Sequence, residues 1–489
     1  MRVLFVTSEA YPLIKTGGLA DVSGALPAAL AKIEVDVRIL IPAYKEVLAK
    51  LMNKKELTTI HNLPMVGTVT LISGNMPDSK TPVIAIKSVE LYERTGGPYQ
   101  DKNGLDWPDN PSRFGVLSKV AAILSDENSP LSSWIPDITH CNDWQSGLTP
   151  TYMHFEKKAN PGLKQAKTII SLHNMAFQGT CSTDWIPQLE LPLEGYQING
   201  YEYYGQLSFL KAGIFYADFL CTVSPTYAKE IQTVNFGFGL QGLLSTRKND
   251  LVGILNGIDT DEWNPETDQH LPKNYSDSLI TGKKSVKKAL QTKFALKIDA
   301  NAPLLGIVSR LTYQKGLDLL LPIAESFLKQ GCQLVLLGSG DSDLEIGFQK
   351  LAAFYPSQVS ITIGYNEPLS HQIMAGCDIF IMPSRFEPCG LNQFYGLRYG
   401  TPPIVTNTGG LADSVTDTND ETMKNGTANG YVMPTTDSKT LRITIERAIQ
   451  DFKDAKKWRK LQHNGMQKDL SWKHSAMSYL KAYEDLLAK

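Results

Sequence analysis

No apolar run among the 489 residues approaches the roughly 18–20 that span a bilayer. The opening run at residues 3–6 is cut short by Thr7, Ser8 and Glu9, too soon for the apolar region of a signal peptide. Cysteine is scarce. The six residues (Cys141, Cys181, Cys221, Cys332, Cys377, Cys389) include no C-x-x-C pair and none of the dense spacing of a disulfide scaffold. Charge of one sign is missing too: 48 Lys plus Arg stand against 50 Asp plus Glu, a formal net charge of −2. That balance carries no electrostatic footprint of a nucleic-acid or membrane-surface binder. These absences predict a reduced, cytoplasmic protein with neither nucleic acid nor membrane as partner.

Several catalytic motifs are absent as well. No G-x-G-x-x-G follows the first strand, and Gly338-Ser339-Gly340 is followed by Asp343 where a third glycine is needed, which disfavours a nicotinamide dehydrogenase. G-x-x-x-x-G-K-[ST], H-E-x-x-H and G-x-S-x-G do not occur. Two D-x-D triplets, Asp259-Thr260-Asp261 and Asp341-Ser342-Asp343, are no more than chance supplies given how many aspartates the chain carries, so no metal site is expected.

What is present is ordinary globular material: 42% apolar and 20% charged residues, in a chain too long for one hydrophobic core. Short apolar strands alternate with amphipathic stretches, the pattern of parallel α/β sheets. Strands are expected at 2–7, 35–41, 137–141, 168–172 and 219–223, with helices at 19–31 and 113–124. The Pro-, Asp- and Asn-rich stretch 264–281 reads as a loop. Strands resume at 304–308, 333–337, 360–363, 378–382 and 403–406. Two doubly wound domains follow, 1–248 and 249–468, with a helix at 469–489 that has no strand after it.

One segment occurs twice: Thr16-Gly17-Gly18-Leu19-Ala20-Asp21 recurs identically as Thr408-Gly409-Gly410-Leu411-Ala412-Asp413. Each copy follows a strand and opens a helical stretch, at the sheet edge where open α/β folds bind ligands. Paired glycines let backbone N–H groups at a helix start approach an anion, and Lys15 adds a positive charge beside the first pair. The plain alternative is a tight turn with a solvated lysine. In the second half Arg310 follows a strand and Lys315-Gly316 comes soon after, a guanidinium fork and a point charge suited to a diphosphate. The run Pro383-Ser384-Arg385-Phe386-Glu387-Pro388-Cys389-Gly390-Leu391 follows another strand. It offers a carboxylate for hydroxyl groups, and backbone N–H groups of Gly390 and Leu391 for phosphate.

Taken with His140-Cys141-Asn142-Asp143-Trp144-Gln145, Leu172-His173-Asn174 and Asn256-Gly257-Ile258-Asp259, these segments resemble the bacterial glycogen synthase and plant starch synthase family in order and over nearly the whole chain. The resemblance implies two Rossmann-like domains in the GT-B architecture with an interdomain cleft, and a C-terminal helix that crosses back to the first domain. It implies transfer of glucose from ADP-glucose to the non-reducing end of an α-1,4-glucan with retention, ADP-glucose being a substrate and no cofactor or metal being used.

Carried over by position, Lys15 and Gly18 face donor phosphates and sugar, and Arg310 and Lys315 hold the diphosphate. Glu387 binds the glucosyl group, with Cys389, Gly390, Leu391 and Thr408 in the same pocket. Asp143, His173 and Asn256 contact the transferred glucose or the acceptor, and Tyr365 packs on adenine. His173, Arg310, Lys315, Glu387 and Asp143 form the catalytic set. Two departures stand out: Tyr395 occupies the position of the second glutamate in the E-x₇-E pattern of related enzymes, and Ala31-Lys32-Ile33-Glu34-Val35 replaces a Gly-His-Asp-Val-like turn. Two other readings stay open on sequence: a retaining GT-B transferase with a small sugar acceptor, and an inactive glucan-binding relative. The oligomeric state is not legible.

Overall fold

The structure is a computed structural model that describes all 489 residues, Met1–Lys489. The chain forms two compact units: Met1–Asn256 together with Trp472–Lys489, and Gly257–Ser471.

The first unit is built on a nine-stranded sheet. Its order runs Leu251–Gly253, Phe219–Thr222, Lys167–Leu172, Ile138–Asn142, Arg2–Val6, Asp36–Pro42, Pro82–Lys87, Gly67–Asn75 and Met52–Leu63. The first seven are parallel, and the last two add on antiparallel. Val3, Leu4, Phe5 and Val6 are all buried, as expected of a strand covered on both faces. The order reverses at Arg2–Val6, where the next strands in sequence lie to one side and Ile138–Asn142 to the other. Such a switch point opens a crevice beyond the strands' C-terminal ends.

The last helix, Trp472–Leu487, buries Trp472, Ala476, Tyr479, Tyr483 and Leu486, the i, i+3, i+4 stripe of an amphipathic helix. They pack with Val3, Phe5, Val22, Leu26 and Ile138 into one core cluster. Each fully buried large side chain of this kind contributes about 1.5–3 kcal/mol. Polar contacts fix the register. Ser475 Oγ donates to Leu255 O at 2.6 Å, and Tyr483 Oη lies 2.7 Å from His140 Nδ1.

The second unit holds a six-stranded parallel sheet in the order Val359–Ile363, Gln333–Gly338, Leu304–Val308, Ile379–Met382, Pro403–Thr406 and Tyr431–Met433. Numbered along the chain within this unit, that is the 3-2-1-4-5-6 order of dinucleotide-binding folds, with its switch point between Leu304–Val308 and Ile379–Met382. No helix or strand occupies residues 254–280, and a helix begins at Thr281.

The expected division at residue 248 falls short. Leu251–Gly253 pairs with Phe219–Thr222 as an edge strand of the first sheet, so that unit runs on to Asn256. The chain rejoins the first unit at Trp472, not 469, because Ile258 and Leu470 are still joined by a backbone hydrogen bond within the second. The substituted turn after the first helix, Gly18–Lys32, closes with Glu34 at φ +67°, a left-handed conformation that disfavours a side chain. All six cysteines are free, and no helix is long and apolar enough to cross a membrane.

Candidate active site

In the first unit the expected residues follow the ends of four strands, of which Arg2–Val6, Ile138–Asn142 and Lys167–Leu172 are neighbours and Leu251–Gly253 lies at the sheet's edge. Arg2–Val6 leads into Glu9, which is buried and anchors the glycine turn. Its carboxylate accepts from Thr16 N at 2.6 Å, from the Thr16 hydroxyl at 2.9 Å, from Gly17 N at 3.3 Å and from Tyr99 Oη at 2.8 Å. The helix Gly18–Lys32 then starts with Gly17 as its N-cap and no side-chain cap. A Cβ added at Gly17 or Gly18 would meet nothing within 4 Å. Lys15 beside them pairs with Asp21 at 2.9 Å and lies 5.3 Å over the Tyr11 ring.

Ile138–Asn142 delivers Asp143, which is buried and held at φ +52°, ψ −168°, a backbone conformation costing about 1–3 kcal/mol for a residue with a side chain. Such strain persists only where the surroundings enforce it. One enforcing contact is the 2.7 Å hydrogen bond from His173 N to Asp143 Oδ1. Burial pushes the Asp143 carboxyl up to about 7, against backbone hydrogen bonds from His173 and Asn174 that favour its charged form.

His173, at the end of Lys167–Leu172, has its Nε2 3.0 Å from Asn142 Oδ1. The Asn142 amide nitrogen donates to Val6 O and His140 O, so Oδ1 is the acceptor and His173 Nε2 carries the proton. Burial lowers the His173 imidazole to about 4, so it is neutral at pH 7. Asn256, beyond the edge strand Leu251–Gly253, is buried, and its Oδ1 has no hydrogen-bond partner.

The second unit assembles a tighter set. Lys315 Nζ lies 2.5 Å from Glu387 Oε2, across the switch point, and Ser384 Oγ donates to the same oxygen at 3.0 Å. Gly316, at φ +67°, lets this loop pass over Pro383, because a Cβ there would fall 2.1 Å from Pro383 O. Gln314 accepts from Arg385 N through its backbone and donates Nε2 to Phe386 O, so the Lys315 loop and the Glu387 segment are stitched together. Arg310 is exposed and reaches Gln314 Oε1 only at 3.5 Å.

Thr408 is buried, and Gly410 N donates to Glu387 O and Pro388 O at 3.1 and 3.0 Å. Gly410 also lies close enough to Cys389 that a Cβ would come within 2.8 Å of its Cα. A Cβ at Gly390 would come within 2.8 Å of Gln393 Oε1 and 3.1 Å of Glu387 Cγ, and Leu391 N-caps the helix Asn392–Arg398. Tyr365 stands apart from this cluster, 74% exposed after the outer strand Val359–Ile363.

Sequence reasoning missed Glu9, Ser384 and Gln314. Glu9 had a signal, a carboxylate just past the first strand's end. Ser384 and Gln314 had none, since their value lies in contacts with residues distant in the chain.

Comparison with known proteins shows what the chain is similar to. The starch synthase catalytic domain matches residues 2–246, and the glycosyl transferases group 1 domain matches 289–464. The chain is 50% identical to the glycogen synthase of Nitrosomonas europaea over 100% of this chain and 98% of that one, and 49% identical to that of Nitrosomonas eutropha over 100% and 97%. Among solved structures, the catalytic domain of starch synthase IV from Arabidopsis thaliana, bound to ADP and acarbose, superposes with a TM-score of 0.89 at 32% identity, covering 100% of this chain and 99% of that one. The sucrose-phosphate synthase from Thermosynechococcus elongatus, at TM-score 0.59 and 15% identity over 100% and 99%, shares the fold alone.

Proposed function

The chain belongs to the bacterial glycogen synthase and plant starch synthase family, and from that premise we propose how its residues divide the work of glucosyl transfer. The reaction moves glucose from ADP-glucose to an α-1,4-glucan and releases ADP. We assign it a retaining course on the non-reducing end of the chain, in the cytoplasm, with no cofactor or metal taking part.

The observation that carries the residue assignment is the Lys315–Glu387 pair at the switch point of the second sheet. The departing ADP accumulates negative charge, so the transition state needs preorganised cations more than a strong acid. Lys315 has three ammonium protons, so it holds Glu387 and a phosphate oxygen together. Arg310, exposed and lightly held, supplies the second cation. Glu387 accepts from sugar hydroxyls, with Cys389, Gly390, Leu391 and Thr408 around it, and Tyr365 offers an exposed ring for the adenine. The open face of Gly18 and the charge of Lys15 meet the donor's phosphates.

On the first unit a neutral His173 is no proton donor of imidazolium strength, which supports a positioning role. Its proton is committed to Asn142, and its backbone N–H orients Asp143. The unpartnered Asn256 Oδ1 is a ready acceptor for a hydroxyl of the transferred glucose or the acceptor. In this assignment the acceptor hydroxyl attacks the anomeric carbon from the leaving-group side as the bond to ADP breaks, and its proton passes to a phosphate oxygen of the departing ADP.

The test is ADP release with glycogen as acceptor, ADP-glucose against UDP-glucose, in the parent and in Arg310→Ala and Lys315→Ala. Each substitution is expected to lower kcat by roughly 10²–10³ in a protein that still folds, with Lys315→Ala also losing some thermal stability because it leaves the buried Glu387 carboxylate unpaired. Near-parental turnover in both would sink the assignment. Incorporation into small sugars in place of glycogen would move the acceptor class.

A further inference from the structure

Away from the residues assigned above, the second unit brings three ligand-type side chains together from segments far apart in sequence. Glu262, Glu367 and His371 each offer one ligand atom, and these atoms lie within 4.8 Å of one another. Glu367 and His371 sit one turn apart on the helix Glu367–Gly376, which places them on one face. Glu262 comes from the irregular stretch before residue 281.

His371 is 1% exposed, yet its Nε2 has no hydrogen-bond partner and lies 3.9 Å from Glu367 Oε1. A buried ring nitrogen left unpaired is costly. Its other nitrogen is firmly held: Nδ1 lies 2.8 Å from Asp268 Oδ2, a carboxylate that also accepts from Tyr399 Oη at 2.6 Å. A proton on Nδ1 leaves the Nε2 lone pair free, on the nitrogen that lies 3.9 Å from Glu367. A carboxylate behind a histidine in this way is the arrangement that orients metal-ligating imidazoles.

We propose that Glu262, Glu367 and His371 form a site for a divalent transition-metal ion, of which zinc fits the donor set best, and that the ion ties the stretch before residue 281 to the helix Glu367–Gly376. One imidazole and two carboxylates suit zinc, with bonds of about 2.0–2.2 Å and water in the fourth position. Magnesium and calcium favour all-oxygen sets. Binding requires the two partly buried glutamate side chains to draw in from this spacing. The ion takes no part in glucosyl transfer, so the expectation that the reaction uses no metal is untouched.

Its influence would reach the donor segment through stacked rings. Trp263 lies 3.7 Å from His371 at 15° and 3.6 Å from Tyr395 at 11°. Two rings centred so close to one indole cannot share a face, so Trp263 is sandwiched between them. Tyr395, which stands in place of the second glutamate of related enzymes, belongs to the helix Asn392–Arg398 that follows the Glu387 segment. The ion would thus brace that helix from behind.

The full chain, stripped with EDTA, is titrated with Zn²⁺ by calorimetry and with Co²⁺ by optical absorption. One equivalent of Zn²⁺ is expected, bound at least about 10-fold more weakly in Glu262→Gln and in Glu367→Gln. Saturating Zn²⁺ is expected to raise the Tm of the parent by about 5 °C and to leave both variants nearly unmoved. The two glutamate variants carry the test because His371 is packed against Trp263 and its loss would disturb the core. Both should retain parental activity in metal-free buffer. No Zn²⁺ binding, binding indifferent to both substitutions, or a Co²⁺ spectrum dominated by thiolate charge transfer from Cys181 or Cys389 would each overturn the proposal.

Discussion

The segment Thr-Gly-Gly-Leu-Ala-Asp is built twice, and its glycines meet opposite surroundings. At residues 17 and 18 an added Cβ would find nothing within 4 Å. At Gly409, where φ is +44°, it would fall 2.0 Å from Glu387 O, and at Gly410 2.8 Å from Cys389 Cα. The first pair keeps a backbone edge bare for something to approach. The second lets one loop lie flat against another. The helices that follow differ accordingly: 15 residues in Gly18–Lys32 against six in Gly409–Ser414. The same contrast extends to the two sheet edges. The second relies on an ion pair, Lys315 with Glu387, and the first on groups driven toward neutrality by burial, His173 and Asp143. One sequence motif can therefore serve a ligand in one place and packing in another, and only its neighbours tell which.

Gly409→Ala should strike hardest. Steric overlap with Glu387 O and a left-handed backbone together predict a loss of about 2–4 kcal/mol in stability, with activity lost as the Glu387 segment shifts. Denaturant unfolding measures the first, and an unaltered midpoint would erase the packing half of the comparison. Gly18→Ala should fold normally and raise the donor KM roughly 10-fold, the cost of one blocked hydrogen bond. An unchanged KM would break the other half.

The neutral edge predicts a pH signature. The folded Asp143 carboxyl titrates near 7, raised from 3.8, so its contribution to stability is full below about pH 4 and is lost as pH rises through 7. His173, lowered from 6.5 to about 4, contributes above 6.5 and loses that contribution as pH falls toward 4. Asp143→Asn removes the first of these. Its stability relative to the parent should therefore improve by up to a few kcal/mol between pH 5 and pH 8. A pH-independent difference would mean that the carboxyl is already ionised throughout. Glu34→Gly should have the smallest effect, a gain of about 1 kcal/mol from relieving a left-handed side-chain position that closes the turn after the first helix.

Most strands buried on two faces were legible because continuous apolar runs leave little else for them to do, although Pro82–Lys87, buried from Val83 to Ile86, was not expected. Leu304–Val308 and Pro403–Thr406 match the expected 304–308 and 403–406 to the residue. The antiparallel arm escaped notice. Met52–Leu63 is exposed along most of its length and reads Met-Asn-Lys-Lys-Glu-Leu-Thr-Thr, with no alternation to betray a sheet. Tyr431–Met433 is too short to register. Among the site residues, strand ends announced Arg310 and Glu387. The contact between Lys315 and Glu387, by contrast, spans two loops that only the folded sheet brings side by side. Burial has no sequence signature, so the shifts at Asp143 and His173 were invisible.

The last helix gives the first unit a schedule. During synthesis the second unit is contiguous and can finish its sheet while the nascent chain is still on the ribosome. The first must wait, because the core cluster around Phe5, Val22 and Ile138 is completed only by the final 16-residue helix, and His140 meets Tyr483 only then. A message truncated before that helix therefore yields a chain whose earliest-made strands stay greasy and unsealed. Such a chain is marked for a chaperone or a protease before it handles any sugar.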